Sequence, residues 1–383
     1  MTTPDPMQMM DQANKIADYY DYLQQKTFYL LIDTFKTTNK TLENADDESI
    51  LRWRLEALSK VGGLTKQVVD LISKETGKTR KQIYDLIQQD GLKVAKATHK
   101  ELAKALKTSL KDTSQDTVNI INNLAATTFK EVNNYVNQSL LTTNYGKNGA
   151  VRAYQSIIDK TVLEVTTGLK TPQRALRENI YKWRENGVKS LLVDKGGHNW
   201  SLEAYTRTVM TTRTHQVYNA ARMESMKDYD TVLAVMTSHP AARPACAPIQ
   251  GKVVCIVPEN DPKFEKGYPS IYDYGYGTPA GTQGINCTHM LFPYVKGVSH
   301  NYQPQYAPQD AVHNAQIQQK QRYFERQVRA KKYKLDLAKR MDDKDTIKKT
   351  GQQIRAYQAK LRQIVKDNKF LSRQYDREQI VGG

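Results

Sequence analysis

Four side chains able to ligate a borderline-soft metal fall within one irregular stretch of the chain: His239, Cys246, Cys287 and His289. Two thiolates and two imidazoles suit tetrahedral zinc. A closed site of four protein ligands leaves no position for an activated water, so the role it offers is structural. The spacing leaves a second reading open. His239 and Cys246 stand seven apart, Cys287 and His289 two apart, and no Cys-x-x-Cys knuckle occurs. Buried cysteines also serve as small apolar residues, with histidines bonded to nearby backbone. Cys255 lies in a β-branched run and reads as core. An odd, low count of three cysteines argues against a disulfide framework.

The same stretch could be asked to do covalent chemistry. Cys287 beside His289 has the residue types of a thiol nucleophile and its base, and Glu259, Asp261, Glu265 and Asp273 are bases or hard-metal ligands in type. No third group that would orient the pair is evident. Phosphate loops of the Walker type, G-x-S-x-G, H-E-x-x-H and the deaminase pattern are all absent. Gly275-Tyr276-Gly277 and Gly281-x-x-Gly284 precede no helix, so tight turns explain these glycines better than a phosphate cradle. The sequence reads as a non-enzyme with no certain cofactor and a possible structural zinc. The alternative is a metal-dependent nuclease or toxin-like transferase built on this block.

Charge supplies the second constellation. The chain of 383 residues carries a formal net charge of +17, a surplus that favours an anionic partner. Residues 316–376 hold 18 Lys and Arg against 7 Asp and Glu. Arg326, Arg329, Lys331, Lys332, Lys334, Lys339, Arg340, Lys348, Lys349, Arg355, Lys360 and Arg362 are therefore the candidate contacts to double-stranded DNA, made through phosphates without base reading. A solvated coiled-coil surface is the plain alternative. Tyr323, Tyr333, Tyr357 and Tyr375 read as cover for an apolar seam, since no base-reading motif accompanies them. A cellular nucleic-acid-binding protein is a further alternative.

The elements that must position these groups are mostly helical. Apolar residues recur every three or four positions from about Met7 to Thr167. Helices are expected around Met10–Leu30 and Leu51–Leu58, the latter stopping at Gly62-Gly63. Short ones follow at Leu64–Ile72 and Ile83–Ile87, broken at Gly77-Lys78-Thr79, then longer ones at 92–110, 118–136 and 151–165. Pro172 opens another that ends near Gly187, Lys195–Asn199 forms a turn, and Ser201 starts the next helix. Thr231–Met236 and Lys252–Val257 read as strands. Seven prolines, six glycines and seven tyrosines between Pro258 and Pro308 read as ordered loop. The tail combines Phe324, Val328, Leu335 and Ala338 with Ile347, Ile354 and Leu361 in apolar seams, broken at Asp342–Asp345. The expected fold is mostly α with a small α+β core. Its divisions are a helical N-terminal region over residues 1–200, a compact loop-rich core over 201–300, and a basic C-terminal helical hairpin or long helix over 301–383. No apolar run approaches bilayer length and no cationic signal region opens the chain, so synthesis in a cytoplasm is expected.

Three motifs resemble the minor capsid protein 2 family of tailed phages, relatives of the phage Mu F-like head morphogenesis proteins. The first is Ser201-Leu-Glu-Ala-Tyr205 with Arg207, Thr212, Asn219 and Arg222. The second is Ser238-His239 with Arg243-Pro244 and Gln250-Gly251-Lys252. The third is Gly275-Tyr276-Gly277 with Gly284-Ile285-Asn286-Cys287-Thr288-His289. Arg207, Arg243, Gln250, Gly251, Gly284 and Asn286 are the family-motif residues among them. Cys246 stands where the pattern has a histidine, and Thr288 where an arginine usually precedes the last histidine. The resemblance implies a structural virion component of a siphophage, present in several copies at the portal vertex of the head. It implies portal and other head proteins as partners, no membrane in the assembled head, and a part in head assembly and genome packaging or delivery. By the same resemblance, the N-terminal helices dock on the portal.

Overall fold

The computed structural model describes residues 5–38, 47–136, 149–186 and 202–380. Among these are ten α-helices and a small three-stranded sheet. The helices are α1 (Pro6–Lys36), α2 (Asp47–Ser59), α3 (Val61–Tyr84), α4 (Asp90–Leu106), α5 (Gln115–Val136), α6 (Gly149–Thr166), α7 (Pro172–Asn186), α8 (Leu202–Lys227), α9 (Pro308–Arg340) and α10 (Lys344–Asp367). The strands are β1 (Leu233–Met236), β2 (Val253–Cys255) and β3 (Leu291–Pro293). The fold is mostly α with a small antiparallel β core, as its periodicity indicates. No helix among the described residues is long and apolar enough to cross a membrane. The helix end expected near Gly187, the turn at Lys195–Asn199 and the helix start at Ser201 lie outside the described residues.

The chain divides into two compact units, the first of Met1–Ile16, Arg80–Glu131 and Arg207–Gln321, the second of Ala17–Thr79, Val132–Thr206 and Arg322–Gly383. In the first, β1 is the central strand of the order β2-β1-β3, pairing Leu233 with Cys255 on one side and Met236 with Leu291 on the other. All four β1 residues are buried, which accounts for an unbroken apolar run where a half-exposed strand would alternate. Met223 and Met226 of α8 and Leu102 of α4 join Ala234, Met236, Val254, Ile249, Ile271 and Leu291 in one core. Each large side chain buried there contributes about 1.5–3 kcal/mol. Strand β3 escapes the sequence reading: it has three residues and ends in Pro293, which lacks an N–H and so sits on the edge.

In the second unit the rings of Phe35 and Tyr154 stack at 4.4 Å, and Trp53 adds a third ring 6.2 Å from Phe35. Helices α9 and α10 form the hairpin that the seams foretell, with Val328, Ile354 and Leu361 buried against Phe324, Leu335 and Tyr357. The Asp343 carboxylate caps α10 by accepting the Thr346 N–H at 3.1 Å.

The stop expected at Gly62-Gly63 comes earlier, between Ser59 and Val61, and the break expected at Gly77 is not formed. Helix α3 runs through both sites and continues, by a π-helical turn at Asp85–Gln89, into α4. A Cβ on Gly63 or Gly77 would meet nothing within 4 Å, so these glycines weaken the helix by about 1 kcal/mol each without interrupting it. Burial of Leu64, Val68, Ile72, Ile83, Leu86 and Ile87 holds the segment together.

Candidate metal centre

A turn after β1 and the loop before β3 bring two thiols together. The Cys246 carbonyl accepts N–H groups from Ile249 and Gln250 at 3.1 and 2.9 Å, and the Cys287 N–H donates to the Gly284 carbonyl at 3.0 Å. Each cysteine is thus fixed by the backbone of its own turn. Cys246 Sγ lies 3.8 Å from Cys287 Sγ, which lies 3.5 Å from His289 Nδ1. These three ligand atoms fall within 4.8 Å of one another and all three residues are buried. The sulfurs are far beyond the ~2.05 Å of a disulfide, and all three cysteines are free. Cys255 is buried on β2 and outside the trio, in keeping with a core role.

The imidazole of His289 is oriented from behind. Its Nε2 lies 3.0 Å from Gln250 Oε1, which also accepts the His239 backbone N–H at 2.9 Å. With an amide oxygen as partner, Nε2 carries the proton and Nδ1 presents a lone pair toward Cys287. The next support comes from α8. Asn219 Nδ2 donates to the His289 carbonyl at 3.0 Å, and Asn219 Oδ1 accepts the Leu291 N–H at 2.9 Å. The contact between the thiols splits their acidities: the Cys246 hydrogen bond, helped by His289, pulls the Cys287 thiol far below its ordinary range. The same contact, followed by burial, pushes Cys246 up.

His239 lies outside the tight trio, with its ring 4.6 Å from that of His289. It bonds the Thr288 backbone, and burial followed by the nearby His289 lowers its pKa. Its Nε2 is buried and without a partner. A further histidine, absent from the sequence reading, comes from α8. His215 is 5% exposed, neither ring nitrogen has a hydrogen-bond partner, and burial pushes its pKa down to about 4. Cys287, His239 and His289 also act on that pKa. Glu259, Asp261, Glu265 and Asp273 do not join the trio. Glu265 pairs with Lys296 at 2.6 Å, and Asp261 accepts the Lys263 N–H at 2.8 Å.

The family model for phage minor capsid protein 2 matches residues 5–366. The chain belongs to that family. It is 54% identical over 362 residues to a structural protein of Lactococcus phage LL-H, covering 94% of this chain and 98% of that protein. It is also 56% identical over 121 residues to a structural protein of Lactococcus phage mv4, covering 32% of this chain and 98% of the relative. No solved structure matches. As a phage minor capsid protein, the molecule is a structural component of the virion.

The family-motif residues turn out to be the clamps of this core. Gly251 has φ +72°, and a Cβ there would sit 2.8 Å from the Pro304 carbonyl oxygen. The Gly251 carbonyl accepts from Asn301 and Gln305, both at 2.7 Å. A Cβ on Gly284 would fall 2.5 Å from the carbonyl oxygens of Thr278 and Pro279, so only glycine lets these turns close. Asn286 takes φ +57° and donates its N–H to Thr212 Oγ1 at 3.1 Å. Arg243 donates to the Ile285 carbonyl, and Arg207 to Asn14 Oδ1 at 3.2 Å.

The twelve cations chosen for DNA contact separate into two groups. On α9 most are engaged within their own unit. Arg329 is buried and donates to the Arg377 carbonyl at 3.1 Å. Lys332 reaches Gln379 at 2.7 Å, Lys331 and Lys334 approach Glu185 at 3.7 and 2.8 Å, and Arg340 pairs with Asp33. Arg326 and Lys339 are exposed on the same helix. On α10, Lys348, Lys349, Arg355, Lys360 and Arg362 are all exposed, Lys360 lying 5.6 Å from the centre of the Phe324 ring.

Proposed function

We propose that this minor capsid protein joins the phage head at the portal vertex and lays helix α10 along packaged DNA during assembly, packaging or delivery. The observation that carries the DNA contact is a row on α10. Lys344, Lys348, Arg355, Arg362 and Lys366 are all exposed. At about 100° per residue they fall within about 40° of one another around the helix, over a length of about 33 Å. Asp345 and Asp367 lie off that row. A straight, single-sign row with an apolar seam on another face suits a run of backbone phosphates and reads no bases. The exposed Leu51 and Leu55, one turn apart on α2, favour docking of the N-terminal region on a protein ring, since Ile50 on the same helix is already used against Val165 and Ala175.

The test is binding of the full-length protein to random duplex DNA at several salt concentrations, comparing wild type with the protein carrying Gln at Lys344, Lys348, Arg355, Arg362 and Lys366. Each lost phosphate contact should reduce the salt slope by about 0.9, so the combined loss is up to about 4.5. Gln at Lys331 and Lys334, which approach Glu185, should leave the slope unchanged. Equal affinity and slope for all three proteins would reject the DNA reading. Mass spectrometry of heads assembled with and without portal tests the docking, and equal incorporation into both would reject it.

A further inference from the structure

We propose that Cys246, Cys287, His289 and His239 hold one structural zinc ion that staples the turn after β1 to the loop before β3. The argument rests on distances between ligand atoms. Zinc bonds of about 2.3 Å to sulfur and about 2.0–2.1 Å to nitrogen, set at tetrahedral angles, give edges of about 3.8 Å between sulfurs and about 3.5 Å between sulfur and nitrogen. The observed Cys246–Cys287 and Cys287–His289 separations are 3.8 and 3.5 Å. Thiol hydrogen bonds have similar lengths, so the distances show that the ligand atoms already stand where zinc needs them, and the surroundings must decide between the two readings.

The surroundings carry the same message. A metal-bound histidine characteristically gives its other ring N–H to a carbonyl, which fixes tautomer and orientation. Gln250 Oε1 does this for His289 at 3.0 Å, and the Thr288 backbone engages His239. The Nε2 of His239 is left buried without a partner, a costly arrangement unless a ligand completes it. Its ring lies 4.6 Å from that of His289, which makes it the candidate for the fourth position.

Charge closes the account. Binding forms two Zn–S and two Zn–N bonds and displaces one proton from each thiol, while the imidazoles bind neutral. A dication with two thiolates is neutral overall, which a buried centre tolerates far better than an unpaired thiolate. With four protein ligands the ion has no open position, so its contribution is to folding. The turn and the loop it ties have few periodic apolar residues of their own.

The experiment uses the full-length protein purified without chelator. Metal content measured by plasma mass spectrometry should show stoichiometric zinc. Cobalt exchanged for zinc should give the intense visible bands of a tetrahedral site and thiolate-to-cobalt charge transfer for two thiolates, a readout that requires no variant. Cys246→Ser, Cys287→Ser and His289→Ala should lose the metal, Cys255→Ser should keep it, and Gln250→Ala should weaken it about 10–100-fold. His239→Ala should retain cobalt only with an altered spectrum, as water replaces a nitrogen. A wild-type protein that takes up neither zinc nor cobalt in titration would overturn the proposal, as would Cys255→Ser losing metal as readily as Cys246→Ser. Loss on His215→Ala with none on His239→Ala would overturn the ligand set.

Discussion

The β core of the first unit and the α9–α10 hairpin of the second are both small, yet they are held by different physics. The core has three strands of three or four residues and relies on buried polar side chains, Asn219 and Gln250 above all, to satisfy loop backbone that no ladder reaches. The hairpin satisfies its backbone internally, as any helix does, and needs only the seam of Val328, Ile354 and Leu361. A region built on specific hydrogen bonds should fail abruptly at single atoms, whereas a seam should weaken in proportion to the volume removed.

The largest effect should come from Asn219→Leu. It removes the amide that accepts the Leu291 N–H and donates to Gln283 Oε1, and leaves these two groups buried without that partner, while Gln283 Nε2 still reaches the His289 carbonyl at 3.2 Å. Each unsatisfied group costs about 1–3 kcal/mol, so a loss of roughly 4 kcal/mol in urea unfolding is expected. Gly284→Ala should follow at roughly 3 kcal/mol, because its Cβ would collide with two backbone oxygens at 2.5 Å that cannot move as a side chain would. In the hairpin, Leu361→Ala should cost about 2–3 kcal/mol, the lower part of the range for a fully buried leucine, because a two-helix seam can close over the cavity. If Leu361→Ala proved more damaging than Asn219→Leu, the contrast between the regions would be wrong.

The two regions were also unequally legible in sequence. The hairpin was readable because its apolar period and the Asp342–Asp345 break are local signals. What its composition hid was partnership: Asp33 and Glu185, far away in the chain, pair with Arg340 and Lys334, so a count of Lys and Arg overstates the free charge of α9 and describes only α10 well. The core was legible as a place, through its Gly, Pro, Cys and His, but not as a structure. Strand β3 is too short to show a period, and the clamps are single residues on α8. His215 was missed for that reason. The available signal was on α8 itself, where Thr212, Thr214, His215, Asn219, Arg222 and Ser225 are all buried. A helix with so many polar residues and no clean apolar stripe either lies exposed or is surrounded by groups that need hydrogen bonds. The bonds from Asn219 and Thr212 to the loop before β3 favour the latter.

The smallest effect separates the regions by pH. Residues 322–376 contain no histidine, while the first unit buries His99, 3.4 Å from Asp228 but not aligned to bond it. Burial lowers the His99 pKa despite the opposing pull of Asp228 and Asp112, and Lys111 adds to the lowering. The unfolded chain therefore takes up this proton more readily than the folded one. The His99 contribution to stability is complete above its unfolded value of about 6.5 and is lost as pH falls from there through the folded value. Urea unfolding between about pH 7 and about pH 5 should show the wild type losing stability and His99→Gln losing less of it. With no histidine between residues 322 and 376, Leu361→Ala should shift the curve without changing its slope. A His99→Gln protein with the wild-type slope would mean that the acid response belongs to other groups, and the contrast between a titrating core and a pH-indifferent hairpin would lose its support at this residue.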